Sequence, residues 1–305
     1  MSSISPIMSA LGPVFVLIAL GYGLRRALLT DDAFWSGAER LTYFCLFPAM
    51  LVTRLANASM LGQDRLGYLF VALACTLGLG LALLLGRRAF PVDGPGFSSV
   101  FQGGIRFNTY VGMAAAASLF GPDGLDAAAL LIAFLIPLVN ILSVVVLARF
   151  AGSKVRPKGI ALALLRNPLI LACTAGIVLN AGGFGLPTGT QGLLSALSGA
   201  ALPLGLLCVG AGLKPAVAAR QSWILAVVCL LKLVVLPALT AVAAAWVGLN
   251  ALETGVLVLF AALPGAPTAY VLARQMGGDE TLVAAIVTAQ TLLAIITLPL
   301  ILALL

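Results

Sequence analysis

The chain has no histidine, and its few acidic residues are poorly placed for chemistry inside a membrane. Without His there is no Ser–His nucleophile pair, no HExxH zinc site and no imidazole ligand for haem. The ten Asp and Glu residues stand at positions 31, 32, 39, 64, 93, 123, 126, 253, 279 and 280. All fall in expected loops or helix ends, so paired intramembrane carboxylates are excluded too. Enzymatic chemistry would have to run on Tyr, Lys or Ser alone, and the chain reads as a non-enzyme. Cysteines are sparse: Cys45, Cys75, Cys173, Cys208 and Cys229 include no CxxC pair. They sit in apolar segments, which predicts buried free thiols and no disulfide framework. Strand-type alternation is missing, which argues against a barrel. No cofactor, metal or nucleic-acid partner is expected.

What is present is apolar. Hydrophobic residues make up 62% of the chain and charged ones only 9%. The mean hydropathy is +1.15. Long runs of Leu, Ala and Val favour helices that cross a lipid bilayer. Ten spans are expected, at 11–28, 38–56, 66–86, 98–120, 125–149, 167–182, 190–213, 222–247, 252–277 and 280–304. Met1 to Ala10 lacks a basic n-region, so the first span reads as a retained helix. No separate soluble domain fits among the spans.

The basic residues follow topology. With the N-terminus outside, thirteen Lys and Arg residues fall in cytoplasmic loops, among them Arg25, Arg26, Arg40, Arg87, Arg88, Arg274 and the run around Lys154 to Lys158. Only Arg54 and Arg65 fall opposite. This bias sets both termini on the non-cytoplasmic side of a bacterial-type inner (plasma) membrane. Contact of the Lys154–Lys158 run with anionic lipid is a secondary reading.

The halves also match. Pro13 and Pro168 are 155 residues apart, as are Pro48 and Pro203. Gly121-Pro122-Asp123 and Gly277-Gly278-Asp279 are 156 apart. Chance alignment in a low-diversity apolar sequence competes with this reading. The expected organisation is two five-helix repeats, 1–150 and 151–305. Five is odd, so the second copy would insert inverted, as in secondary transporters.

Such transporters place their sites where paired helices are interrupted. Span 4 carries Gly103-Gly104-Ile105-Arg106-Phe107-Asn108-Thr109-Tyr110 and span 9 carries Leu263-Pro264-Gly265-Ala266-Pro267-Thr268-Ala269-Tyr270. Pro264 and Pro267 lack donors, and Gly265 permits unusual dihedrals. Asn108 and Thr109 can cap a half-helix. Exposed N–H groups at the resumed helices would attract an anion. A simple kink is the alternative for either segment alone.

Two cations, Arg106 and Lys232, lie deep in apolar segments with no expected carboxylate beside them. An intramembrane charge without a partner is costly. A transported organic anion would supply the missing charge. For Lys232 the open roles are bracing the interruption, balancing substrate charge, carrying a proton, or binding backbone carbonyls structurally. For Arg106 substrate contact and bracing stand even. Asn140 in span 5 and Gln290 in span 10 are candidates for carboxylate contact or interhelical bonding. Tyr43 and Ser198 are candidate wall residues or packing contacts.

The stretch Gly104 to Gly112 resembles the helix-4 motif of the auxin efflux carrier family. Pro264 to Ala273, followed by Gln275-Met276-Gly277-Gly278, is similar to that family's helix-9 region. Pro13 to Arg26 and Arg166-Asn167-Pro168 also fit. The resemblance implies a bile-acid-symporter-like fold in which broken helices 4 and 9 cross. Helices 1, 2, 6 and 7 would form a scaffold; helices 3–5 and 8–10 would move as an elevator. It also implies a homodimer and a substrate among malonate, malate or auxin-like carboxylates. Substrate residues would be Asn108, Thr109, Tyr110, Pro264, Gly265, Pro267, Thr268 and Tyr270, with Asn140, Gln290 and Tyr43. Plant members have proline at the crossing in both helices; here Asn108 replaces it in helix 4. Proton coupling and uniport are both open. The competing functions are a cation/proton antiporter of similar fold, a channel and a membrane sensor.

Overall fold

A computed structural model describes residues 4–58, 65–152, 165–186, 189–218 and 222–305, with backbone only at 65 and 222. The run Lys154–Lys158 lies outside them. The described residues are helical and contain no strand.

The helices are α1 (Ile4–Ala27), α2 (Asp32–Leu41), α3 (Phe47–Asn57), α4 (Arg65–Leu85), α5 (Gly94–Ile105) and α6 (Thr109–Phe150), then α7 (Pro168–Ala181), α8 (Gln191–Ala211) and the short α9 (Pro215–Ala218). They end with α10 (Ser222–Leu230), α11 (Leu236–Val247), α12 (Ala251–Ala261), α13 (Thr268–Met276) and α14 (Glu280–Ala303). Among the described residues, six helical stretches are long and apolar enough to cross a membrane: Ile4–Ala27, Leu66–Ala89, Gly94–Phe150, Gln191–Ala211, Trp223–Val247 and Glu280–Ala303. Pro168–Ala181 and Ala251–Ala261 are shorter apolar helices. The protein is a multi-pass membrane protein.

Local chemistry sets the ends. Asp31, Asp93, Asn167 and Asp279 each cap the helix that follows through a side-chain oxygen. Asn250 and Glu253 form a capping box at α12. Two π-turns interrupt the helices, Thr42–Leu46 before α3 and Leu231–Val235 before α11. Each precedes a proline, Pro48 or Pro237, whose missing N–H breaks the regular ladder. Gly121 turns α6 with φ 64° and ψ −153°. Gly277, 156 residues later, also has a positive φ of 74°.

Two of the expected starts are late. The first helix begins at Ile4 and not near residue 11, and α2 begins at Asp32 and not near 38. Asp31 accepts from the Ala33 N–H, which nucleates α2 early.

Packing joins α1 to α8 and α3 to α7 and α8. Elsewhere α11 packs on α4 and α12, and α14 packs on α5 and α13. The α1–α8 contact is backbone to backbone. A Cβ on Gly210 would lie 1.8 Å from the Ile18 carbonyl oxygen, and one on Gly21 would lie 2.1 Å from that of Leu207. Small residues permit such approach in lipid, where packing rather than water drives association.

Candidate functional site: two helix breaks around a cleft

The first break lies between α5 and α6. Arg106 caps α5 in an extended conformation, and α6 resumes at Thr109. Asn108 accepts from the Tyr110 and Val111 N–H groups at 3.1 and 3.3 Å. Those donors are therefore spent within the chain and not offered to a ligand. The free donor at this end is Asn108 Nδ2, which is buried and has no partner among the described residues.

The second break spans 262–267, between α12 and α13. The breaks touch: the Asn108 N–H donates to the Pro264 carbonyl at 2.8 Å. Gln290 of α14 spans both. Its Oε1 accepts from the Gly265 N–H at 2.8 Å, and its Nε2 donates to the Gly103 carbonyl at 2.9 Å. Both polar ends of the Gln290 amide are thus committed to backbone.

On one side of the breaks is a cleft with two connected chambers. The inner chamber is about 70 Å³ and is lined by Asn108, Thr109, Tyr110, Pro267 and Thr268 among others. The outer chamber is about 550 Å³ and reaches Ser36, Arg40 and Gln275. Glu39, Tyr43, Arg106, Asn140, Asn167 and Thr268 line both. Below, the Tyr110 ring meets Phe47 edge-on, with centroids 5.0 Å apart. Asn167, whose Oδ1 caps α7 by accepting from the Leu169 and Ile170 N–H groups, lines the cleft together with Tyr43.

Arg106 is the cation that lines the inner chamber; Arg40 reaches only the outer one. Arg106 is 7% exposed. Its Nη2 donates to Thr268 Oγ1 at 3.0 Å, bridging the two breaks. Its Nε and Nη1 have no partner among the described residues. A guanidinium left with unpaired donors is costly unless something else fills them.

Lys232 is elsewhere. It is 1% exposed and occupies the Leu231–Val235 π-turn. Its own cavity, about 20 Å³, is lined by Cys75, Thr76 and Thr240 and by Ile105 and Ala261. That volume is large enough for one water molecule. Ile105 and Ala261 end α5 and α12, so the cation stands beside two helix C-termini, where the dipole favours positive charge.

The cleft therefore gathers Asn108, Thr109, Tyr110, Pro267, Thr268, Asn140, Tyr43 and Arg106. Pro264, Gly265, Gln290, Tyr270 and Lys232 lie outside its lining. Tyr270 instead sits under the Lys214 ammonium, 4.6 Å from the ring centroid. One expectation fails. Arg106 does share its surroundings with a carboxylate, because Glu39 lines both chambers. With α2 starting at Asp32 and running on through the Thr42–Leu46 π-turn into α3, Glu39 is two turns inside a continuous helical run and not at its start. Its four-residue spacing from Tyr43 puts both on one helix face, a signal present in the sequence. Asn167 was legible as a cap before Pro168 but not as a wall residue.

Residues 156–302 match the family described as membrane transport protein. The chain is also 26% identical over 294 residues to an uncharacterized transporter of Methanothermobacter thermautotrophicus, covering 94% of each chain. Both matches are to membrane transport proteins, as is expected from the resemblance of the Gly104–Gly112 and Pro264–Ala273 stretches. The chain is a membrane transporter, and the matches point to transport rather than to enzymatic chemistry.

Proposed function

We propose that this transporter carries small organic anions, with the substrate carboxylate held at Arg106 and Asn108. The observation that carries this reading is the buried Arg106 guanidinium, with Nε and Nη1 unpartnered in a cleft it shares with the free Nδ2 of Asn108. Carboxylate oxygens satisfy both groups, and a charge-assisted bond to a guanidinium is about twice as strong as a neutral one. The N-termini of α6 and α13 border the same chamber and add positive potential.

In this reading ten spans form two inverted five-helix repeats. α1, α2, α3, α7 and α8 make the scaffold, and the broken helices ride in a body that slides against it as an elevator. The cleft opens beside Ser36, Arg40 and Gln275, on the basic and hence cytoplasmic face, so this is the inward-open state. On the opposite side, Arg54 of α3 and Asp126 of α6 stand 3.9 Å apart. Lys232 braces the C-terminal ends of the first half-helices. The protein works in the inner membrane as a homodimer, with both termini outside.

The test is radiolabelled uptake and counterflow in proteoliposomes with malonate, malate and indole-3-acetate, comparing wild type with Asn108→Ala and Lys232→Ala. Saturable counterflow that is lost in Asn108→Ala supports the reading. Absence of carboxylate flux from folded protein overturns it. The Glu39 carboxylate in the cleft favours cation/proton antiport as the second reading; cation-dependent proton flux without carboxylate counterflow would establish it.

A further inference from the structure

We propose that a groove between α1 and α14 binds an anionic phospholipid, with an acyl chain in the groove and the phosphate at Arg26 and Lys214. The groove has a volume of about 370 Å³ and shares no lining residue with the cleft. Lipid binding there stands or falls apart from the organic-anion reading. In the proposed motion α1 stays and α14 travels, so the groove in this shape belongs to the state with the cleft open.

The walls of the groove suit hydrocarbon. They come from Phe15 and Tyr22 of α1, Leu213 and Pro215 at the link from α8 to α9, and Leu292 and Ile295 of α14. Thr291 lines it too, but its hydroxyl donates to the Val287 carbonyl at 2.7 Å. No charged side chain is in the lining. A carboxylate substrate meets no cation there.

The length fits one leaflet. Phe15 lies eleven residues before Arg26 on α1, about 16 Å at 1.5 Å per residue. Half of a hydrocarbon core of about 30 Å is about 15 Å. A chain whose headgroup is level with Arg26 therefore ends near Phe15.

Two cations flank the mouth. Arg26 is in the last turn of α1, and its guanidinium stacks on the Tyr22 ring, 4.3 Å from the centroid. Lys214 stands between Leu213 and Pro215, and its backbone N–H donates to Thr288 Oγ1 of α14 at 3.1 Å. Its ammonium lies over the Tyr270 ring. Both side chains are exposed, and neither has a carboxylate partner among the described residues. Arg25 makes the contrast, being bonded to Asp32 and to the Ala211 carbonyl. An aromatic face leaves the N–H donors of a cation free for oxygen, and a phosphodiester supplies charged oxygens. Basic residues at the membrane surface attract anionic lipid in this way.

The experiment adds phosphatidylglycerol with a photoactivatable acyl chain to the intact protein in detergent micelles and maps the labelled peptides by mass spectrometry. Label is expected on α1 and α14. Unlabelled phosphatidylglycerol should compete about thirtyfold better than phosphatidylcholine with the same chains. That ratio equals about 2 kcal/mol, at about 1 kcal/mol for each cation. Arg26→Gln combined with Lys214→Gln is expected to erase the preference. Ala19→Phe, which fills the groove from its α1 wall, is expected to remove the label. Equal competition by the two lipids in wild type reduces the groove to ordinary contact with bulk lipid and overturns the proposal. So does full preference in the double variant, or displacement of the label by indole-3-acetate, which would make the groove a second acid site. An unlabelled groove in folded wild type overturns it as well, whether or not a second copy of the chain covers it. If the double variant does not fold, the wild-type ratio and Ala19→Phe decide.

Discussion

The two helix breaks reach the same place by different means. The first is self-capped: Asn108 folds its own side chain onto the next turn and binds two N–H groups. The second has no side-chain cap at its resuming helix, where Pro267 stands at the cap position. It depends on neighbours instead, through the Pro264 carbonyl to Asn108 and the Gly265 N–H to Gln290. A break with its own cap is a local property of sequence. A break held by another helix exists only in the assembled fold.

That contrast orders the effects of mutation. Gln290→Leu should do the most damage to stability, because it orphans a buried donor at Gly265 and a buried acceptor at Gly103. Each such loss is worth about 1–3 kcal/mol, and thermal unfolding in detergent should shift strongly downward. Arg106→Gln should act mainly on binding, raising the KM for a carboxylate by roughly ten- to a hundredfold. That range corresponds to losing a charged hydrogen bond of about 1.5–3 kcal/mol; an unchanged KM in counterflow would remove Arg106 from the site. Asn108→Ala should cost about 0.5–2 kcal/mol as a lost cap. Asn108→Asp should restore that stability without restoring carboxylate counterflow, because the free Nδ2 donor is gone. Thr268→Val should be mildest. It removes one bond between the breaks, worth about 1 kcal/mol, and is expected to raise KM only a few-fold. If Thr268→Val proved as harmful as Gln290→Leu, the Arg106 bridge and not Gln290 would be the main link between the breaks.

The self-capped break was legible in advance for the same reason that it is local. Asn108 before Thr109-Tyr110 is a cap signal, and the Pro and Gly residues from 264 to 267 announce a disrupted ladder. The clamp was not legible. Nothing in spacing says that residue 290 bonds positions 103 and 265, since that pairing is set by packing of three separate helices. Glu39 was misread for a related reason. Its placement depended on where α2 starts, and a two-turn error there moves a carboxylate from a wet helix end into the cleft. Lys232 was correctly read as buried, but its separation from the cleft needed coordinates. The glycines at 121 and 277 were legible as landmarks, and both turn out to hold positive φ.

The α1–α8 seam has a mechanical consequence. With Ile18 and Leu207 carbonyls seated where a methyl group on Gly210 or Gly21 would have to go, the two helices cannot slide past one another without backbone collision. Such a seam behaves as a weld and not as a bearing. In the proposed elevator motion, travel would then be taken up at surfaces padded by side chains, such as the face where Tyr110 rests on Phe47. A larger residue at position 210 would therefore distort the frame against which the proposed motion takes place, even though Gly210 does not line the cleft.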